Sequence, residues 1–206
     1  MSLRDRKRAR TRQALIDAAT ELFERKGYDE TTIADIAAAA EIGARTFFSY
    51  FGSKEELLFP EADYRVQAAI DAIATRGPDE GPADVLLRAL GEVNATSAEM
   101  VSPLAALRLR MIQTVPAVRG RALQLQLDAQ REIARHLAQA FPDQLDAVGA
   151  GALVGAFVGA VSGALQALFD GAGADPEALR TAMHTATEVA LAPWRTSTAK
   201  RRTPKP

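Results

Sequence analysis

The 206 residues suffice for one mid-sized domain or for a small domain plus a larger one, and a hydrophobic content of 48% allows a sizeable core. Cysteine is absent, which excludes disulfides, thiolate metal sites and a cysteine nucleophile. The net charge of -1 is unevenly spread: Met1–Arg12 holds Arg4, Arg6, Lys7, Arg8, Arg10 and Arg12 against Asp5 alone, and Trp194–Pro206 holds Arg195, Lys200, Arg201, Arg202 and Lys205 with no acid. Basic ends on an acidic body point to arms that meet a polyanion, with solvated tails as the alternative. The first twenty residues carry many charges and no unbroken apolar run, so no secretory signal is expected and the chain is expected in the cytoplasm.

Almost every segment reads as helix. Leu15, Ala18, Ala19, Leu22 and Phe23 recur at three and four residues, and Arg25, Lys26 and Gly27 suit a C-terminus, so a first helix is predicted over about 8–26. Thr32 and Asp35 form a capping-box pair ahead of a short second helix, about 33–40. A break at Glu41-Ile42-Gly43 precedes a third, about 44–50. Ser53 and Glu56 form a further capping box that opens a fourth helix, expected to kink at Pro60 and to resume through about Thr75. Gly77, Pro78, Gly81 and Pro82 mark a loop, followed by a fifth helix over about 83–98. Pro103 starts a sixth, to about Thr114, and Pro116 a seventh, to about Ala140. Pro142 breaks the chain before an eighth, about 143–169. Gly171, Gly173 and Pro176 separate that one from a ninth, about 176–192. No run alternates strictly, so no strand is predicted. The expected fold is all-α: an N-terminal three-helix helix-turn-helix domain and a C-terminal helical ligand-binding and dimerisation domain, about nine helices in all. The expected boundaries are 1–52 for the first domain with its basic arm, 53–193 for the second, and 194–206 for a basic, disordered tail.

Two short helices separated by a tight break are the geometry that lays a recognition helix in the major groove. In Ala44-Arg45-Thr46-Phe47-Phe48-Ser49-Tyr50, Phe47 packs inward with Phe51, four residues on, leaving Ala44, Arg45, Thr46, Ser49 and Tyr50 outward. An arginine can donate two hydrogen bonds to guanine, and hydroxyls suit phosphate oxygens. An ordinary three-helix core with a polar face is the other reading of the same spacing.

The ordered stretch from Gly27-Tyr28 through Thr31-Thr32-Ile33-Ala34-Asp35-Ile36-Ala37 to Thr46-Phe47-Phe48-Ser49-Tyr50-Phe51-Gly52-Ser53-Lys54-Glu55-Glu56-Leu57-Leu58 closely resembles the DNA-binding domain of TetR-family regulators. The resemblance covers residues 8–58. It implies that Thr32 caps the second helix and bonds a phosphate, that Thr46, Tyr50 and Lys54 hold further phosphates, and that Ala44, Arg45 and Ser49 touch base edges. The basic run with Arg8 resembles family arms that reach backbone or minor groove. Three positions depart from the pattern. Phe48 stands where the family often has a phosphate-bonding tyrosine and can offer only apolar or ring-edge contact. Glu41 replaces a turn glycine, and Gly43 replaces a serine or threonine cap. The recognition segment with the sixth helix also looks like the subgroup of acyl-coenzyme-A-responsive regulators.

From Ala147 to Phe169 no charged residue occurs, and Gly151, Gly155, Gly159 and Gly163 recur every fourth residue. The length would span a bilayer, but an Ala/Gly-rich segment transfers weakly into lipid. The soluble reading is a buried helix whose smooth face lets another approach. The family resemblance implies that the last two helices build a homodimer, and two recognition helices set roughly 34–36 Å apart read a palindrome. The resemblance also implies an effector pocket in the middle helices for a small hydrophobic or amphipathic molecule. Leu104, Leu107, Arg108, Met111 and Ile112 are candidates from the sixth helix. Leu125, Phe157, Val161 and Gln166 are candidates from the seventh and eighth; any of the apolar ones can equally be plain core. Arg108 and Arg110 could face an anionic head group or be ion-paired surface. The implied function is a ligand-responsive repressor that binds a palindromic operator, with local activation as the alternative. With only His136 and His184 and no carboxylate cluster, no enzyme site, metal or cofactor is expected. A membrane-attached helical protein is the reading from a different class.

Overall fold

The computed structural model describes residues 2–96, 102–169 and 176–200. Arg201, Arg202 and Lys205 of the expected tail, the separators Gly171 and Gly173, and residues 97–98 of the expected fifth helix lie outside the described residues. Among those described there are nine α-helices, one 3-10 turn and no strand: α1 (Leu3–Lys26), α2 (Ile33–Ala39), α3 (Ala44–Phe47), the 3-10 turn (Glu55–Leu58), α4 (Ala62–Ala74), α5 (Pro82–Thr96), α6 (Pro103–Thr114), α7 (Pro116–Ala140), α8 (Ala147–Phe169) and α9 (Pro176–Lys200). The all-α fold is therefore as expected.

Most boundaries follow local chemistry. Thr32 and Asp35 form the capping box of α2, Ser102 caps α6 ahead of Pro103, and Gly27 ends α1 with φ 85°. Three expectations are corrected. First, α1 begins at Leu3, not near residue 8, because Ser2 and Asp5 cap each other's backbone. The basic run Arg4–Arg12 is thus helix rather than arm. Second, Pro60 breaks the fourth helix instead of kinking it. Phe59, with φ -127° and ψ 46°, leaves the helical region, as a residue before proline tends to, and α4 starts only at Ala62. The expected Ser53–Glu56 box does not open a helix there: the Glu56 carboxylate instead accepts from the Gly52 amide (2.7 Å). Third, α9 carries Pro193 inside it and continues to Lys200. Arg195, expected in a disordered tail, is helical and pairs with Asp84 (3.1 Å) and Glu188 (2.8 Å).

The chain divides into two compact units: Met1–Glu61 with Ser102–Leu123, and Ala62–Val101 with Gln124–Pro206. The expected boundary at 52/53 falls inside the first. That unit's core joins Leu15, Ala19 and Phe23 of α1, Ile36 of α2, Phe47 of α3, Leu57 and Leu58 of the 3-10 turn, and Leu107 and Met111 of α6. In the second, Ala72 and Ile73 of α4, Leu86 of α5, Leu137 of α7, Leu153, Val154 and Phe157 of α8, and Leu191 of α9 form the core.

Candidate nucleic-acid interface

The turn between α2 and α3 is a Schellman motif. The Ile42 amide donates to the Ala37 carbonyl (2.9 Å) and the Glu41 amide to that of Ala38 (3.1 Å). This closure puts Glu41 at φ 55°, the left-handed region glycine fills without strain. Replacing Glu41 with Gly is expected to raise unfolding free energy by about 1 kcal/mol; an unchanged or lower urea midpoint would contradict a strained turn.

Gly43 caps α3 through its backbone, with no side-chain bond. The Ser49 amide reaches Thr46 O (3.0 Å) and that of Tyr50 reaches Phe47 O (2.9 Å), so the helical path continues in tighter turns to the expected end at Tyr50. Phe47 is fully buried and Phe51 nearly so, their rings 6.0 Å apart. Ala44, Arg45, Thr46, Phe48 and Ser49 are exposed, and Tyr50 is half-buried. One face of seven residues thus anchors the segment while the other offers a guanidinium, hydroxyls and one bare aromatic ring.

Long-range contacts hold this segment. The Arg8 Nη2 donates to Ser49 O (3.1 Å) and its guanidinium lies 5.1 Å from the Tyr50 ring centre. One turn later in α1, Arg12 donates to Pro60 O (3.2 Å) and covers the Phe51 ring at 4.9 Å. Periodicity within α1 did not reveal this pairing, because the partners are some forty residues away. Lys54 donates from Nζ to Tyr28 O (2.8 Å) and Thr31 O (3.0 Å) and lies over the Tyr28 ring at 3.9 Å, beside Thr32. Of its three protons, two are engaged within the protein. The Tyr28 hydroxyl donates to Glu55. Burial, then the Glu55 bond and charge, push that phenol above its ordinary range. Burial alone would push Glu55 up, but the bonds from Ser53 and Tyr28 outweigh it and hold its carboxyl low. The Glu56 carboxylate completes the cradle, taking the Gly52 amide and, from α7, Arg121 Nη2 (3.0 Å).

Residues 15–59 match the family of bacterial regulatory proteins named for tetR. That stretch is a regulatory DNA-binding domain of the tetR family. The chain is 34% identical over 141 residues to the transcriptional regulator TcmR of Streptomyces glaucescens, covering 66% of this chain and 62% of that one. It is 36% identical over 81 residues to the transcriptional repressor Rv3405c of Mycobacterium tuberculosis, covering 37% of this chain and 39% of that one. The matches thus span less than two thirds of these relatives' length. Among solved structures, Thermus thermophilus FadR, a TetR-family repressor in complex with lauroyl-CoA, superposes with a TM-score of 0.54 at 21% identity, over 87% of this chain and 93% of that one. That likeness concerns the fold.

The residues expected around a TetR-type effector fall into two groups. Leu107 and Met111 are buried and Leu104 and Ile112 packed in the core of the first unit, beside the helix-turn-helix. Arg108 is buried there too, its Nη1 donating to Leu58 O (3.2 Å) and to the Glu61 carboxylate (3.0 Å). Within the first unit the α6 residues thus serve as core and ion pair. Their apolar spacing marks a covered face without saying which domain covers it. Arg110 is exposed. Leu125, Phe157, Val161 and Gln166 belong to the second unit, where Phe157 is buried and Gln166 exposed. A cavity of about 410 Å³ in that unit is lined by Arg76, Gly77, Pro78 and Glu80 and by residues 140–144, none of them among the nine.

On α8 the buried residues Ala150, Leu153, Val154 and Phe157 form one stripe. Gly151, Gly159 and Gly163 are exposed and Gly155 half-buried, and a methyl group placed on any of the four would meet no atom within 4 Å. Among the described residues, the helix read as buried is thus uncovered along its glycines. By length and composition, Ala147–Leu168 is apolar enough to cross a membrane.

Proposed function

We propose that this chain is a cytoplasmic, ligand-responsive repressor that binds a palindromic operator as a homodimer. The observation that carries the reading is the two-faced recognition segment, with Phe47 fully buried beneath an exposed Ala44, Arg45, Thr46, Phe48 and Ser49. Arg45 reads a base edge, joined by Ala44 and Ser49. Thr46, Tyr50, Thr32 and Lys54 hold phosphates, and Arg8 steadies Tyr50 and reaches the same backbone. Residues 1–52, with Lys54 just beyond them, carry this contact and the rest of 53–193 the dimer and effector functions, with a basic tail from 194 on. The uncovered glycines of α8, with α9, form the dimer face. A small hydrophobic or amphipathic effector, acyl-coenzyme A among the classes considered, binds in the helical body. It acts by its differential affinity for the DNA-competent and released states. Activation would use the same interface. The membrane-attached reading rests on the apolar length of α8 alone, and sedimentation without membranes tests it.

Arg45→Ala is expected to weaken DNA binding by about 1–3 kcal/mol per half-site and to relax the sequence preference at one base pair. Tyr50→Phe removes one phosphate hydrogen bond and is expected to cost about 1 kcal/mol whatever the sequence. Titration of a DNA duplex in increasing salt checks both. Wild-type affinity in both variants would rule out this placement of the interface. Pro60→Ala restores a backbone donor just before α4 and is expected to alter effector-dependent release; identical binding and induction curves would exclude a role for the break.

A further inference from the structure

We propose that Phe48 reads thymine, its ring seating against the C5-methyl group of a T·A pair in the major groove. The inference rests on the DNA-binding reading above and assigns part of its specificity. Phe48 is 59% exposed, and among the described residues no other large hydrophobic of α2 or of the Ala44–Tyr50 segment is comparably bare. Its exposure is built into the fold. The backbone is right-handed helical (φ -67°, ψ -7°), so the side chain follows Ala44 by one turn on the same strip, with Arg45 alongside. The ring stands edge-on to that of Phe47, at 5.4 Å and 83°, and Phe47 is itself fully buried in the core. A ring braced in this way loses little freedom when it docks.

The partner follows from the chemistry of the groove. Phosphates carry no apolar group and the sugar C–H groups are the same at every nucleotide, whereas the floor of the major groove presents donors, acceptors and one apolar feature, the thymine methyl. The strip of Ala44 and Phe48 is complementary to that methyl, while Arg45 is complementary to guanine O6 and N7. A wedge inserted between base pairs is the other use of an exposed aromatic, but such wedges act from the minor groove.

The test removes the methyl alone. Duplexes are selected from a randomised DNA library by the full-length wild-type protein, and each thymine of the selected sequence is replaced in turn by deoxyuridine. The wild-type protein is expected to lose about four-fold in affinity at one thymine per half-site, the value of one buried methyl. Phe48→Ala is expected to bind the thymine and deoxyuridine duplexes equally at that position, and Phe48→Leu to keep part of the difference; circular dichroism verifies that both fold. If every deoxyuridine is silent, or if the loss persists in Phe48→Ala, the proposal is overturned while DNA binding stands. If no duplex is retained at all, the DNA-binding reading fails and this one with it.

Discussion

Replacing Arg108 with alanine is expected to destabilise the first unit by about 3–5 kcal/mol, among the largest effects of any single change in this chain. The Arg108 side chain is 10% exposed and that of Glu61 16%. Water therefore screens the pair little, and loss of the guanidinium takes one hydrogen bond each from the little-exposed Glu61 carboxylate and from the buried Leu58 carbonyl. The cost arises from losing these bonds at desolvated groups rather than from the attraction itself. The double change Arg108→Met with Glu61→Leu, which removes both charges, is therefore expected to recover a good part of the loss. Urea unfolding of the three proteins checks this. A loss below about 0.5 kcal/mol in Arg108→Ala, the range of ordinary surface substitutions, would contradict a buried role. The position of Leu58, in the core that also holds Phe47 of α3, predicts that operator affinity falls along with stability.

The second large effect concerns assembly and rests on the proposed homodimer. Gly155→Leu with Gly159→Leu is expected to leave the protomer folded, since a Cβ at either position meets no atom within 4 Å among the described residues. Against a closely approaching partner helix the same side chains overpack, at about 1–3 kcal/mol for each strained contact, and a symmetric interface doubles every one. Sedimentation should shift from dimer to monomer, with operator affinity falling by at least about 100-fold as one half-site is left to bind alone. A double variant that stays dimeric would place the interface elsewhere.

The local devices of the fold were largely legible. Capping at Thr32 and Asp35, the glycine end of α1, and prolines opening α6 and α7 are short-range chemistry, and the helices follow them. What escaped was decided either by competition or at a distance. Ser2 and Asp5 form a capping box as good as any other in the chain, but the run of arginines behind them reads as an arm when charge is weighed before capping. Ser53 and Glu56 have the spacing of a box, yet Glu56 is taken by Gly52 and Arg121, a residue 65 positions away. Leu107 and Met111 have the spacing of an inward face, and nothing in that spacing tells a pocket wall from support for a neighbouring helix. In the candidate interface, the outward and inward sets of α3 follow from the phase of two phenylalanines. The clamps from Arg8 and Arg12 required the tertiary fold.

As proposed, the outward face of α3 reads DNA, twice, from a symmetric pair. Sequencing the genomic fragments retained by the wild-type protein and by Arg45→Ala tests it most directly. The wild-type fragments are expected to share an inverted repeat whose half-site centres lie one helical turn, roughly 34–36 Å, or a multiple of it apart, and Arg45→Ala is expected to lose this enrichment. Fragments without a shared sequence, or an inverted repeat retained undiminished by Arg45→Ala, would contradict it.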